Sequence, residues 1–175
     1  PRTLQMSLAG VRSLSLIETA PVNRYPVQTY VIEENKQIIR DAIYKELSRN
    51  GQVFILYNRV QSIEEAKNRI CNLVPDARVA IAHGQMTKNE LESKIFEFTN
   101  HEYDVLVCTT IIENGIDIPN ANTIIIDNAD RFGLSQLYQI KGRVGRGDRL
   151  GYAYLFYSGH KEMNDEAKKR LKTIK

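Results

Sequence analysis

Short apolar runs alternate with segments of helical periodicity along most of this chain, and this alternation constrains the fold more than any other feature. Several runs are continuously apolar and rich in Val, Ile and Tyr, as strands covered on both faces are. They occupy residues 27–32, 52–57, 78–82, 103–108, 122–127 and 152–157. The alternation predicts an α/β fold with a mostly parallel central sheet and helices on both faces.

Apolar stripes at helical spacing predict helices within residues 34–49, 62–74 and 87–99. Two of these segments begin with the sequence pattern of a capping box. Ser62 stands three residues before Glu65, and Thr87 stands three residues before Glu90. Both residues are therefore expected to cap the helices that follow them.

The composition limits the class of protein but does not indicate a function. The net charge of +3 permits nucleic-acid binding but does not indicate it. Cys71 and Cys108 lie far apart in apolar runs, which favours reduced thiols in a cytosolic protein over a disulfide framework. The three histidines suggest no metal cluster. No run reaches the ~20 apolar residues of a membrane span, so no membrane partner is expected.

Ligands of parallel α/β folds gather where the strands end at their carboxyl edge. After the run at 78–82 the chain reads "HGQMTKNE". His83 and Gly84 are expected to form a tight turn at the end of this strand. The backbone N–H groups of the following helix start can hold a phosphate. The alternative is a loop and a capped helix with no ligand.

The stretch "TTIIENGIDIPNANT" follows the run at 103–108. Thr109 and its neighbour offer hydroxyl and N–H groups to an anion, and Gly115 permits a close backbone approach. Asp117 precedes an Ile-Pro step that favours extended backbone, where its carboxylate can accept hydrogen bonds from sugar hydroxyls. A β-turn with a solvated aspartate remains the alternative.

The stretch "QIKGRVGRG" mixes cations with glycines after a helical segment whose packing face is expected to include Leu134, Leu137, Tyr138 and Ile140. Gln139, Arg143 and Arg146 fall at i, i+4 and i+7, which is one face of one helix. Such a row suits phosphate oxygens because the guanidinium fork donates in bidentate fashion. Lys141 is expected to point elsewhere, into solvent. A basic helix end favoured by the helix dipole explains the cations but not the glycines.

The sequence has no GxxxxGK[ST] phosphate loop and no acidic cluster suited to magnesium at a strand end. A chain that offers arginines without a phosphate cradle cannot hydrolyse a nucleotide alone. It can supply an arginine finger to a site built by another domain.

Three stretches carry a family resemblance. "GQVFILYN", "TTIIENGIDIP" and "QIKGRVGR" resemble motifs IV, V and VI of the second RecA-like domain of superfamily 2 helicases and translocases. "PRTLQMSLAGVRSLSLIETAP", "LYNRV", "AHGQM" and "NADRFGLSQLYQ" narrow the resemblance to bacterial transcription-repair coupling factors. RecG-type branch-migration helicases are the nearest alternative, and the short segment after motif IV favours the coupling factors.

The resemblance implies a role for each candidate residue. Arg143 and Arg146 would contact the γ-phosphate of ATP, with Arg146 as the finger, and Gln139 would place the attacking water or sense that phosphate. Gly115 and Asp117 would approach the sugar of the nucleotide. The residues implied to touch the DNA backbone are Thr109, Asn58, Arg59, His83 and Gly84.

The resemblance also implies an organisation and partners. Residues 26–158 would form a RecA-like three-layer sandwich, preceded by a linker from the first motor domain (1–25) and followed by the start of a helical hairpin (159–175). ATP with Mg would be bound mainly by that first domain, so the fragment alone is predicted to be inactive. Double-stranded DNA and the first domain would be direct partners, with RNA polymerase and UvrA contacted through other domains. The implied role is an ATP-driven DNA translocase of the bacterial cytoplasm that displaces stalled RNA polymerase and promotes nucleotide excision repair.

Two other classes of protein are alternatives to this interpretation. A flavodoxin-type phosphate-binding module needs a glycine-rich loop after its first strand, but an acidic stretch, "EENKQ", stands there. A non-catalytic DNA-binding α/β module would use Gln139, Arg143 and Arg146 on DNA directly.

Overall fold

The structure is a computed structural model that describes residues 27–109, 118, 120–142, 144, 149–158 and 165–174. Strands and helices alternate along these residues, as the apolar pattern predicts. Their bounds are β1 Val27–Glu33, α1 Lys36–Ser48, β2 Gln52–Leu56, α2 Ile63–Leu73, β3 Val79–Ala82, α3 Lys88–Thr99, β4 Val105–Cys108, β5 Ala121–Ile126, α4 Leu134–Lys141, β6 Gly151–Tyr157 and α5 Asp165–Ile174.

The six strands form one sheet in the order β1-β6-β5-β2-β4-β3. Every pairing in it is parallel. The predicted parallel α/β fold is therefore confirmed. Because all strands run the same way, their carboxyl ends share one edge of the sheet and their amino ends share the other.

Two apolar clusters cover the two faces of the sheet, which makes three layers. One cluster contains residues of α1 and α2, such as Ile43 and Ile70. The other contains residues of α3, α4 and α5, such as Phe98, Ile140 and Leu171. The side chains of β2 and β4 are buried on both faces, which explains why these runs are continuously apolar.

The two predicted capping boxes have different outcomes. At α3, Thr87 Oγ1 accepts the N–H of Glu90 at 3.1 Å, and Glu90 Oε1 accepts the N–H of Thr87 at 2.9 Å, so this prediction is confirmed. At α2 the prediction is wrong, because Ser62 makes no side-chain cap. Its hydroxyl lies 2.8 Å from the hydroxyl of Tyr57 and pairs with it instead.

Helix α4 also departs from the expected pattern. Leu137 and Ile140 are buried as predicted, but Tyr138 is 49% exposed and does not belong to the packing face. The helix ends at Lys141, with Gly142 as its C-cap. The N–H of Val144 donates to the carbonyl oxygen of Lys141 at 3.3 Å, three residues back, so the α-helical ladder does not continue. Arg143 and Arg146 lie outside the described residues, so the expectation that they share one helix face with Gln139 stays a prediction.

Lys141 is not solvated either. Its Nζ donates to the carbonyl oxygen of Ile174, 3.4 Å away at the end of α5. Burial lowers the pKa of this ammonium group. This hydrogen bond from Lys141 therefore links α4 to α5.

The expected domain boundaries fall largely outside the described residues. Residues 1–25, the expected linker, lie outside them, and α5 is the described part of the expected hairpin start. These boundaries stay predictions. Among the described residues, no helix has the length and apolar character needed to cross a membrane.

Candidate nucleic-acid and nucleotide interface

The residues expected to touch DNA follow three neighbouring strands at one edge of the sheet. Asn58 and Arg59 come shortly after β2, Thr109 comes directly after β4, and His83 and Gly84 come directly after β3. These strands are adjacent in the order β2-β4-β3. The fold therefore brings all five residues to the same carboxyl edge.

Four of these residues reach the surface at this edge. Asn58, Arg59 and Gly84 are exposed, and His83 is half-buried. His83 shapes the turn, because its Nδ1 accepts the N–H of Gln85 at 3.2 Å. This hydrogen bond holds the imidazole ring against the backbone of the turn.

Thr109 is different, since only 6% of it is exposed. Its N–H donates to the carbonyl oxygen of Ala82 at 3.3 Å and extends the pairing of β4 with β3. The expectation that Thr109 offers this N–H to an anion is therefore wrong. Its position beneath the edge suits a residue that supports the neighbouring loops.

The start of α3 already holds a negative charge. Hydrogen bonds from Thr87 lower the pKa of Glu90, whose carboxylate lies against the first turn of that helix. A carboxylate in this place competes with phosphate for the same positive end of the helix dipole. The loop of His83 and Gly84, which reaches the surface beside this helix start, stays the predicted phosphate contact.

A pair of carboxyl groups lies further along the same edge. Glu34 follows β1, and Asp127 follows β5. Burial, together with a hydrogen bond and charge repulsion from Glu34, raises the pKa of Asp127 to about 7, although Arg69 opposes the shift. Both carboxyl groups border a cavity of about 450 Å³ whose floor includes Ile55 and Ile125.

The residues expected to face the nucleotide are mostly outside the described part of the chain. Gly115, Asp117, Arg143 and Arg146 lie there. Gln139 is described and is exposed on α4.

The described residues that follow these two segments lie at the opposite, amino edge of the sheet. Ile118 and Asn120 lead into β5, and Arg149 and Leu150 lead into β6. Strands β5 and β6 are neighbours. The described residues directly after the arginine stretch thus lie at the amino edge, while the two arginines themselves lie outside the described residues.

A buried ion pair lies at this amino edge. Glu46 is 1% exposed. Arg49 donates to it from Nε and from Nη2, each at 2.7 Å, and the hydroxyl of Thr123 on β5 donates to the same carboxylate. The hydrogen bonds that Arg49 donates to Glu46 raise the pKa of the guanidinium, so Arg49 stays charged.

Sequence reasoning overlooked both of these charged groups, although each left a signal. Glu46 interrupts the apolar stripe of α1, four residues after Ala42 and three after Ile43. A glutamate on a packing face needs a partner within the core. Asp127 directly follows three isoleucines in "NTIIID", at the edge where ligands gather.

No group of three or more His, Cys, Asp and Glu side chains among the described residues is arranged to hold a metal ion. Cys108 is buried, and burial strongly raises the pKa of its thiol, so it behaves as a core residue. Besides the carboxyl groups of Glu34, Asp127 and Glu90, the described part of the carboxyl edge carries a guanidinium, an amide and loop N–H groups, which are donors that suit phosphate.

Comparisons with known proteins identify the family of this chain. Residues 34–148 match the model of the helicase conserved C-terminal domain. The chain is 61% identical, over all 175 residues, to the transcription-repair-coupling factor of Staphylococcus epidermidis ATCC 12228. It is 59% identical over the same length to that of Staphylococcus aureus USA300. The chain spans 15% of the length of each of these relatives.

Solved structures show the same fold. RecG bound to a three-way DNA junction is 35% identical, with a TM-score of 0.76 over 90% of this chain and 21% of the RecG chain. The C-terminal domain of yeast Dbp5 in its complex with Gle1 and IP6 is 19% identical, with a TM-score of 0.62 over 85% of this chain and 83% of that chain. These matches confirm the RecA-like fold and the resemblance to transcription-repair coupling factors. The chain belongs to the helicase conserved C-terminal domain family.

Proposed function

We propose that this chain is the second half of an ATP-driven double-stranded DNA translocase motor. DNA would lie along the carboxyl edge of β2, β4 and β3, and the nucleotide would lie near the amino ends of β5 and β6. The observation that carries the proposal is this division. The candidate DNA residues share one edge of the sheet, while both candidate nucleotide segments lead into the other.

The carboxyl edge is suited to the backbone of DNA rather than to its bases. Arg59 and Asn58 are exposed there beside the loop of His83 and Gly84. A guanidinium, an amide and loop N–H groups can all donate to phosphate oxygens. Binding of this kind is independent of sequence and weakens as salt rises.

The amino edge is suited to completing a nucleotide site built elsewhere. Arg143 and Arg146 would donate to the γ-phosphate, and Gln139 would place the attacking water. Gly115 and Asp117 would approach the ribose. ATP with Mg would be held mainly by the first motor domain, because this sequence has no phosphate loop. The chain by itself would then be inactive.

The wider role is proposed from the relatives. They are named transcription-repair-coupling factors, so the motor would displace stalled RNA polymerase and promote nucleotide excision repair in the bacterial cytoplasm. Contacts with RNA polymerase and UvrA would be made by other domains. A RecG-type branch-migration motor is the second candidate, favoured by the likeness to RecG on a three-way junction.

Arg146→Ala in a full-length coupling factor carrying this sequence tests the nucleotide half of the proposal. Loss of an arginine finger lowers ATP turnover by about 10³–10⁵. DNA affinity, measured by fluorescence anisotropy, should persist. If ATP turnover survives, Arg146 is not the finger. If DNA affinity is lost instead, the chain is a non-catalytic DNA-binding module.

Arg59→Ala in the same protein tests the DNA half. Removing one phosphate contact should weaken DNA binding and reduce the slope of log affinity against log salt by about 0.9. Lys45→Ala is the matched control, since it removes the same charge from the last turn of α1, at the other edge of the sheet. Equal effects of the two substitutions would show that only net charge matters.

A further inference from the structure

The exposed loop of Asn58 and Arg59 lies between two residues that pair with each other. Tyr57 stands directly before these two residues, and Ser62 ends the loop before α2 begins. The hydroxyl oxygens of Tyr57 and Ser62 lie 2.8 Å apart, so one hydrogen bond joins the two ends of the loop. We refer to residues 57–62 as the Tyr57 loop. It presents a candidate DNA-binding guanidinium to solvent.

Tyr57 itself is attached to the sheet. Its N–H donates to the carbonyl oxygen of Cys108 at 2.7 Å and continues the pairing of β2 with β4. Its side chain is buried in the apolar cluster that contains residues of α1 and α2. The guanidinium carbon of Arg69, on α2, lies 5.9 Å from the centre of its ring. The loop is therefore tied to a residue that belongs to the sheet.

Ser62 forms this hydrogen bond instead of capping α2. An N-cap serine typically stabilises its helix, and Glu65 stands where a capping box would need it. Ser62 nevertheless makes no side-chain cap. The chain thus forgoes a local stabilisation in favour of a bond that closes the Tyr57 loop. Departures from local preference of this kind are expected at functional sites.

The backbone between the two ends is also defined. Arg59 is extended, with φ −139° and ψ 108°, and Val60–Ser62 form a turn of 3-10 helix. The N–H of Ile63 donates to the carbonyl oxygen of Val60 within this turn. A short loop that is held at both ends needs less further ordering when its exposed side chains bind a partner.

The ring of Tyr57 borders the cavity of about 450 Å³ that Glu34 and Asp127 also border. A side chain beside a void lacks packing contacts on that side. The hydrogen bond with Ser62 therefore contributes to the position of the ring in addition to its packing. Loss of the hydroxyl group alone should be enough to loosen the loop.

We propose that Tyr57 is a positioning residue for DNA binding, whose hydrogen bond with Ser62 holds the loop so that Arg59 meets the DNA backbone. This inference rests on the proposed function, because it assumes that Arg59 contacts DNA. A loop already held in its bound form binds more tightly, since less ordering accompanies binding. Tyr57 is buried and its hydroxyl is paired, so it acts through Arg59 and not by touching DNA.

The test uses a full-length coupling factor carrying this sequence. Tyr57→Phe keeps the buried ring and removes only the hydroxyl, and Ser62→Ala removes the partner of that hydroxyl. Each should weaken binding of double-stranded DNA about threefold to tenfold, the range expected for one hydrogen bond. Ser62→Thr keeps a hydroxyl and should keep the affinity within about twofold. Fluorescence anisotropy measures the affinity, and melting temperature reports folding.

Tyr44→Phe is the matched control. The hydroxyl of Tyr44 makes a similar hydrogen bond, 3.3 Å from Oδ2 of Asp76, but Asp76 precedes β3 at the amino edge of the sheet. Tyr44→Phe should keep DNA affinity even if it lowers the melting temperature as much as Tyr57→Phe does. A loss of affinity at Tyr57 alone is then due to the loop and not to stability.

Combination with Arg59→Ala separates positioning from a general structural effect. In the Arg59→Ala protein, Tyr57→Phe should change DNA affinity by less than about twofold, because the side chain through which it acts is gone. A residue with only a structural role would lower the affinity equally in both backgrounds.

The inference is overturned if Tyr57→Phe keeps the DNA affinity of the unmodified protein. It is also overturned if the effect of Tyr57→Phe is undiminished in the Arg59→Ala protein or is matched by Tyr44→Phe. Failure of the proposed DNA contact is a separate result, which would appear as DNA affinity that survives Arg59→Ala and would remove the inference with it. If Arg59→Ala weakens DNA binding and Tyr57→Phe does not, only the positioning role is lost.

Discussion

A methyl group on Gly51 would overlap the carboxylate of Glu46, which is buried beneath the turn between α1 and β2. Glycine at this position is thus required by a neighbouring charge. Gly51→Ala should displace Glu46 from its hydrogen bonds with Arg49 and Thr123 and should lower the free energy of unfolding by about 2–4 kcal/mol. Urea denaturation of the 175-residue chain measures this change.

Gly84→Ala is the matched control, because a methyl group there meets no atom within 4 Å. It should change the free energy of unfolding by less than about 0.5 kcal/mol. Equal losses at the two glycines would mean that backbone entropy, and not the Glu46 carboxylate, decides the effect.

The raised pKa of Asp127 predicts a pH dependence of stability. The ordinary pKa of this carboxyl group is 3.8, and burial and Glu34 raise it to about 7 in the folded chain. The folded state therefore keeps a proton that the unfolded state has released, and stability falls as pH rises towards 7. The largest slope is about 1.4 kcal/mol per pH unit.

Asp127→Asn removes the titrating group and should remove this part of the slope. Denaturation at pH 5, 6, 7 and 8 would compare the variant with the unmodified chain, so that all other titrating groups cancel. The variant should gain relative stability as pH rises. A difference that stays constant with pH would show that Asp127 ionises normally.

Arg170 attaches α5 to the turn after β5. Its Nε donates to the carbonyl oxygen of Phe132 and its Nη2 to that of Asp130, each at 2.9 Å. Arg170→Ala should loosen α5, with amide hydrogen exchange in residues 165–174 about tenfold faster, as expected for a loss of about 1.4 kcal/mol. Lys168→Ala, an exposed change on the same helix, should leave exchange unchanged. Similar rates in both variants would rule out this attachment.

The order of strands and helices could be predicted because strands that are buried on both faces of a sheet have continuously apolar sequences. Predictions from local sequence patterns failed where the polar side chain forms a hydrogen bond with a residue outside the pattern. Ser62 has the same capping pattern as Thr87, but its hydroxyl pairs with Tyr57. Lys141 is a cation in a basic stretch, yet it is half-buried and donates a hydrogen bond to the end of α5, 33 residues along the chain.

Part of the candidate site could also be predicted from the sequence, and part could not. The DNA residues could be placed on one edge because each follows a strand that the pattern predicts. The hydrogen bond from Arg49 to the carbonyl oxygen of Leu150 could not be predicted from the sequence, since the two residues are 101 positions apart and no local pattern connects them. Arg149 and Leu150 lie at the amino edge because α4 lies between β5 and β6 and returns the chain to that edge before β6 begins.

The place of β1 at the end of the sheet has a consequence for synthesis of the chain. Within the described sheet β1 pairs only with β6, and Val27 finds its partner in Gly151, about 120 residues later. A ribosome adding about 5–20 residues per second needs about 6–25 s to make that stretch. The first strand must therefore wait, with its backbone donors and acceptors unpaired, until the last strand has left the exit tunnel.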